Sequence, residues 1–512
     1  MSAANDTSAC LIGIDIGTSG TKSALFAADG TPVASHTAEY PMAQPANGWA
    51  EQDPQHWWNA VCEGLRAVLA QAGAREIAGI GLSGQMHGLV MLDAGGNVLR
   101  PSIIWCDQRT EAEVADMDRL IGHEKIIRIT ANPPMTGFTA AKILWVQKNE
   151  PQVYERCAHI LLPKDYIRYK LTGEFATEVS DASGMQLMDV PARTWSGELL
   201  SSFHIDSAWL PKIYESQEIT GTVHADAAKE TGLPAGTPVV GGAADNAAAA
   251  VGTGVVMAGK AFTTIGSSAV IYAVSDEVKI DLAGRVHTLC ASVPGKWTVM
   301  SCTQGAGLSL KWLRDNVCTQ ETINAEKRGV DPYVLMDDMA EALPIGANRL
   351  LFLPYLMGER SPHPDPDCRG VFFGLSAMHG RAELIRAVME GVAYSQLECL
   401  NVFREMGVPV DDMVLTGGGA KSPFWAQMLA DLYGVPVSAL AQDEGAAGGA
   451  ALLAATGIGL YKDLAEACEA AVKRGKTLTP DKERSAQYAP FFELYKKLYP
   501  DLTEDFRTLS SL

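Results

Sequence analysis

Two short segments half a chain apart follow one plan. "LIGIDIGTSGTKSALFA", from Leu11, and "KAFTTIGSSAVIYAVS", from Lys260, each read as a strand, a tight turn of glycine with serine or threonine, and a second strand. Ile16-Gly17-Thr18-Ser19 in the first matches Ile265-Gly266-Ser267-Ser268 in the second. Such an echo points to two domains of similar plan with a boundary just before Lys260. Independent Gly-Ser turns give the same pattern, and these residues alone leave both explanations open. The length, 512 residues, exceeds one ordinary core and favours two to four domains.

Composition narrows the function classes. A hydrophobic share of 47% and a charged share of 20% belong to a soluble globular chain. The formal net charge of -19 argues against a nucleic-acid partner, whose phosphates it would repel. The ten cysteines, from Cys10 to Cys468, form no CxxC or other metal-ligand spacing and read as reduced thiols. "MSAANDTSAC" at the start has no basic region followed by an apolar core, and no apolar run approaches the ~20 residues that cross a bilayer. Cytoplasm is the expected location.

Local signals mix strands and helices into an α/β plan with antiparallel pairs. Asp29-Gly30 joins two strand-like runs, and "GLVMLDAGGNVLRPSIIW" reads as a second hairpin turning at Ala94 to Asn97. In "DPQHWWNAVCEGLRAVLAQAG", Asp53 caps a helix, Pro54 takes its first position, Trp57, Val61, Leu65 and Val68 share a face, and Gly73 stops it. A second long helix runs from Arg381 toward Gly407. The aromatics Tyr488, Phe491, Phe492, Tyr495 and Tyr499 suggest a terminal helix at about 485–500 docked on the body.

Four motifs carry chemistry. Asp15 ends an apolar strand directly before the "GTSGT" turn, whose backbone N–H groups and the hydroxyls of Thr18, Ser19 and Thr21 suit phosphate oxygens, with Asp15 suiting the accompanying magnesium. This is no Walker loop, because GxxxxGK[ST] is absent. "GIGLSG", Gly79 to Gly84, matches a dinucleotide pattern, but a hairpin follows where a helix is required. "GQMHG" sets His87 in a turn after a strand, placed to bond a ligand hydroxyl. "LTGGGAKSPFW" offers three glycines to a flat ligand before Ser422-Pro423 starts a helix. In "GGAADNAAAAVG" the Asp245-Asn246 pair fits either a solvated turn or a cleft carboxylate, since unpartnered burial would be costly.

Taken together, these pieces resemble the FGGY family of carbohydrate kinases, within the sugar kinase, actin and Hsp70-like ATPase fold. The resemblance runs from Cys10 to about Tyr499, and its most specific part is "GVFFGLSAMHGRAELIRAVME". "GWAEQDPQHWW", "GQMHG", "PSIIWCDQR" and "FLPYLMGERSPH" are similar to the members that act on xylulose. The resemblance implies two ribonuclease-H-like α/β domains, 1–257 and 258–512, flanking a cleft, and ATP-dependent phosphorylation of D-xylulose, with Mg2+. Ribulose, gluconate, fuculose and glycerol are the alternative acceptors, and a non-sugar ATPase of the fold is the remoter one.

Carried over by position, Asp245 is implied as general base, and Met86, His87, Asn246, Trp105 and Asp107 as sugar contacts. Thr18, Ser19, Thr21, Gly266, Ser267, Ser268, Gly307, Lys311, Gly418, Gly419 and Ser422 are implied at ATP, and Asp15 at the metal. Glycerol kinases have glutamine where Lys311 stands. The implied partners are the small sugar and ATP, with no nucleic acid or membrane, in a homodimer.

Overall fold

The computed structural model describes residues 9–73 and 75–512, so most of the N-terminal stretch read above for a leader lies outside the described residues. Strand β1 (Ala9–Ile16) buries Cys10, Leu11, Ile12, Ile14 and Ile16 almost completely, as a strand covered on both faces must. It turns into β2 (Gly20–Ala27), antiparallel from Cys10↔Ala27 to Ile16↔Thr21, and β3 (Pro32–Glu39) continues the meander. Asp29 accepts from the Thr31 N–H in the tight turn between them. Helix α1 (Pro54–Ala72) then crosses over. Asp53 caps it through the Gln55 N–H, and Trp57, Val61, Leu65 and Val68 are fully buried. The crossover delivers β4 (Glu76–Gly84) parallel to β1 on the side away from β2. Ile219–Thr222, Pro238–Val240 and the short Ala243–Ala244 complete this seven-stranded sheet.

Helix α2 (Asp245–Gly252) leads out of it, and the plan then repeats. Strands β5 (Gly259–Ile265), β6 (Ala269–Ser275) and β7 (Trp297–Thr303) form an antiparallel meander, with β5 and β6 paired up to Ile265↔Ala269. After helices α3 (Gly307–Asn316) and α4 (Arg381–Glu405), β8 (Val410–Thr416) returns parallel to β5 on its open side. The two Gly-Ser/Thr turns thus occupy the same place in two sheets of one topology. The second sheet also has seven strands.

Helices α5 (Pro423–Tyr433) and α6 (Gly445–Gly457) follow. Although α6 lies late in the chain, it packs on β1 and β4 of the first sheet and against α2. The approach is so close that a side chain on Gly13 would overlap the Ala447 carbonyl, and one on Gly449 the Ala248 carbonyl. This explains the alanine run after Asp245: small residues let α2 and α6 meet at backbone distance. The two helices, with Leu11, Phe26, Phe262, Tyr272 and Val414, form an apolar layer that joins the two sheets.

Two local expectations change. Val90–Leu92 pairs with His159–Leu161, and across the expected hairpin turn at Ala94 to Asn97 only isolated bridges remain, Pro101 lacking the N–H that a ladder needs. The terminal helix α7 spans Lys482–Ser511, through Pro490 and Pro500, beyond the expected 485–500. Its buried Tyr488, Phe492 and Tyr495 pack about Tyr394 of α4, and this apolar face overrides the proline signals.

Candidate active site

Asp15 closes β1 opposite Ser83 in the parallel ladder and Lys22 in the antiparallel one. Its Oδ1 is out of reach of solvent and has no hydrogen-bond partner. Burial raises the carboxyl above its ordinary pKa, against the pull of the Ser83 hydroxyl and the Lys22 ammonium. Lys22 itself is drawn 3.0 Å from Glu444. An orphaned carboxylate oxygen beside a phosphate-sized turn suits a hard divalent cation. Among the described residues no group of three or more His, Cys, Asp or Glu could hold a metal alone. Asp15 therefore fits an ion that brings most of its ligands with it, as magnesium on a nucleotide does.

The turn after Asp15 is closed by the Gly17 N–H donating to the Gly20 carbonyl, 3.0 Å. From beneath, Tyr40 donates to the Gly17 carbonyl (2.5 Å) and Gln52 to the Thr18 carbonyl (2.6 Å), while Gln85 donates to Gln52 (2.8 Å). Ser19 stands exposed at the tip, and the Thr18 hydroxyl accepts from the Trp105 indole at 2.9 Å. Thr21 departs from expectation. It is fully buried with its hydroxyl on that of Tyr40, so it braces the turn and does not face a phosphate. Tyr40, Gln52 and Gln85 carry no sequence signal, because each acts through a partner distant in the chain.

The second turn is braced by helix α3. The Gly307 and Leu308 N–H groups donate to the Gly266 and Ser267 carbonyls at 2.8 and 3.0 Å, an approach that leaves no room for a side chain at Gly307. Gly266 and Ser267 are exposed, with Ser268 half-buried beside them. Gly266 and Ser267, though not Ser268, line a cavity of about 390 Å³, whose walls include Gly307, Lys311 and the Gly418, Gly419 and Ser422 turn. That volume suits a nucleoside. Gly417 enters the turn at φ 77°, and Ser422 caps α5 through the Trp425 N–H, 3.0 Å. Lys311 lends its stem to the wall while its ammonium pairs with Asp315 at 2.8 Å on the helix surface. Tyr333, Trp425 and Asp337 also line the cavity and were not foreseen. Burial raises the Asp337 carboxyl to about 6, with the Ser422 hydroxyl working against it.

In the first half of the chain, Met86 and His87 are buried in their turn, and His87 holds a left-handed backbone at φ 67°, costing about 1–3 kcal/mol in a non-glycine residue. Its Nδ1 lies 2.8 Å from the Gly184 carbonyl, which makes Nδ1 the donor and leaves Nε2 as an acceptor. Burial and the charges of Lys142 and Arg360 hold the ring neutral, far below its ordinary pKa. Lys142, buried under the turn, donates to the His87 and Gly137 carbonyls at 2.9 and 2.7 Å. Burial lowers its pKa to about 7.

Trp105 is 39% exposed and holds the Thr18 hydroxyl of the first turn. Asp107 requires a correction. It is fully buried, and both oxygens are taken by Arg109 and the Ala50 N–H, leaving none for a sugar.

Asp245 begins α2. Asn246 donates to its Oδ1 from both the backbone (2.6 Å) and the side-chain amide (2.9 Å), which turns the amide nitrogen to the carboxylate and leaves the amide oxygen and the second amide N–H for a ligand. Burial first, then the nearby charge of Asp15, raise the Asp245 carboxyl to about 7, against the Asn246 donors. A carboxylate so poised can take a proton near neutral pH.

Comparison with known proteins gives two family matches. Residues 10–252 match the N-terminal domain of the FGGY family of carbohydrate kinases, and residues 261–458 its C-terminal domain. The chain is 39% identical over 492 residues to the xylulose kinase of Escherichia coli, covering 96% of this chain and 99% of that one. The crystal structure of xylulose kinase from Rhodospirillum rubrum superposes with a TM-score of 0.90 at 32% identity, over 97% of this chain and all of the other. That of gluconate kinase from Lactobacillus acidophilus reaches 0.90 at 28% identity, over 98% and 99%.

Proposed function

The chain belongs to the FGGY family of carbohydrate kinases, and from that premise we propose that it transfers the γ-phosphoryl group of ATP to the terminal hydroxyl of D-xylulose, giving D-xylulose 5-phosphate and ADP. One observation carries the reading: Asp245, poised near neutrality, stands within the field of Asp15 at the phosphate turn, in a chain that also buries a neutral His87 for a sugar hydroxyl.

Phosphoryl transfer asks a protein chiefly for alignment and charge stabilisation. The Gly17–Gly20 and Gly266–Ser268 turns clamp the phosphates, and the cavity beside Gly307 and Gly418 takes the nucleoside. His87 Nε2 accepts from a sugar hydroxyl, with Met86 and Trp105 as walls and the Asn246 amide oxygen as a further acceptor. Asp245 takes the proton of the terminal hydroxyl as that oxygen bonds to the γ-phosphorus and the bond to the ADP oxygen breaks. Magnesium, when bound with the nucleotide against Asp15, offsets the phosphate charge. Closure of the halves at 257/258 excludes water as a competing acceptor.

The same reading makes the protein a cytoplasmic enzyme, in keeping with ten unpaired cysteines. Among the described residues no helix is long and apolar enough to cross a membrane.

The test is a panel of ketoses, polyols and gluconate with ATP and magnesium, read as sugar-dependent ADP release. The highest kcat/KM is expected on D-xylulose. A preference for gluconate, the acid acted on by a kinase of equal structural likeness, would overturn the choice of sugar.

A further inference from the structure

Arg360 belongs to the second half of the chain, in the "GERSPH" run, yet its guanidinium reaches the sugar side of the cleft. Its Nε donates to His287 Nε2 at 3.2 Å, and Nη2 lies 4.0 Å from Met135 Sδ. It enters no ion pair among the described residues, although the chain carries a net charge of -19 and most of its arginines meet a carboxylate. A guanidinium that is half-buried without a counter-charge is held for something else.

Its aim is fixed by a directional chain. The Asn132 amide nitrogen donates to the Thr130 and Thr288 carbonyls at 2.8 and 2.7 Å, so Asn132 Oδ1 is an acceptor. His287 Nδ1, 2.9 Å from that oxygen, therefore carries the proton, and its Nε2 lone pair receives Arg360. Burial, with the Arg360 charge, keeps His287 neutral. Phe138 stands between this histidine and His87, its ring centre 5.8 Å from one and 4.4 Å from the other. Through His287 and Phe138 this chain runs to His87, and the Arg360 charge is among those that hold His87 and His287 neutral.

This end of the cleft thus offers donors from Arg360 and an acceptor at His87 Nε2. We propose that Arg360 determines substrate specificity by donating hydrogen bonds to the C2 carbonyl oxygen of an open-chain ketose, beside a neighbouring hydroxyl taken by His87, and so selects ketoses over polyols of the same length. The inference rests on the sugar-kinase reading above. A planar carbonyl oxygen offers both lone pairs to a group that only donates, whereas the tetrahedral C2 hydroxyl of a polyol also carries a proton that needs an acceptor of its own, and the neighbouring hydroxyl already takes His87 Nε2.

The experiment compares wild type, Arg360→Met and Arg360→Lys by KM and kcat/KM for D-xylulose, by the inhibition constant of xylitol competing with it, and by the KM for ATP, with folding checked by circular dichroism. In Arg360→Met, kcat/KM for D-xylulose is expected to fall by roughly 10- to 100-fold, as for a lost charge-assisted hydrogen bond, with xylitol binding and the ATP KM changed less than about threefold. Arg360→Lys, which keeps the charge and loses the fork, should lie between. Equal weakening of D-xylulose and xylitol, in either variant, would overturn the assignment while leaving the kinase reading intact. A wild-type protein without ADP release on D-xylulose would remove both.

Discussion

Around His87 the chain buries charge and holds strained backbone, whereas around Gly307 it brings backbone against backbone. The first half of the chain, the proposed sugar side with its own phosphate turn, rests on side chains drawn from far apart: Lys142 under the His87 turn, Gln52 and Gln85 under the Gly17–Gly20 turn, and Asp107 gripping Arg109. The nucleotide side rests on Gly266, Gly307 and the Gly417–Gly419 turn, with Ser422 as a helix cap. The difference follows from what each must recognise. A phosphate and a planar base can be met by N–H groups and close backbone, but sugars differing by one hydroxyl are told apart by fixed donors and acceptors, and fixing them takes buried polar networks.

If that contrast is real, substitutions on the two sides should fail differently. The largest effect is expected for Asp107→Ala, which leaves Arg109, itself only 1% exposed, with Glu51 as its one remaining carboxylate and takes the acceptor from the Ala50 N–H, and should cost about 2–3 kcal/mol of stability. Urea unfolding measures this, and an unchanged midpoint with a raised xylulose KM would return Asp107 to the sugar. Gly307→Val should come next, raising the ATP KM by roughly tenfold or more through displacement of the Gly266 turn, with the xylulose KM unmoved. Equal rises in both constants would erase the division of labour.

His87→Ala should raise the xylulose KM by roughly 3- to 10-fold, the scale of one hydrogen bond, and leave the ATP KM alone. Relief of the left-handed strain is absent from this variant, since alanine is no better suited to φ 67°. Lys311→Ala should do least, below about twofold on the ATP KM, because its ammonium is held in a surface pair with Asp315. A larger change would show that the ammonium reaches the nucleotide after all.

How far the sequence foretells this depends on the range of the interactions. The Asp53 cap, the Asp29-Gly30 turn and the repeated strand–turn–strand are local, and all three stand in the fold as their residues suggest. Both Gly-Ser/Thr turns and Asp245 were visible as small-residue runs carrying polar groups. Hidden were the partners of those groups. Nothing near Thr21 announces Tyr40, and nothing near Arg360 announces His287 or Asn132, which come together only through the fold. The Asp107–Arg109 pair lies two residues apart and was legible in principle, but its salt bridge competes with a ligand role that the same letters allow. The alanines after Asp245 serve the contact of α2 with α6, a partner about two hundred residues on that no neighbouring letter announces.

The central claim is that Asp245 is the base of a sugar kinase, and its pH dependence tests it most directly. Because the fold raises this carboxyl from an ordinary 3.8 to about 7, its protonated form is favoured in the native state. The associated stability is fully present below 3.8 and lost as pH rises through about 7, so Asp245→Asn should gain stability over wild type, by up to about 4 kcal/mol at pH 8 and about 2 kcal/mol at pH 5. The measurement is kcat/KM for D-xylulose from pH 5 to 9 in both proteins. Wild type should climb roughly tenfold per unit up to about pH 7 and then level, and Asp245→Asn should run at least about 100-fold slower without that limb. Near-normal turnover in Asp245→Asn, or the same acidic limb in both proteins, would contradict the account.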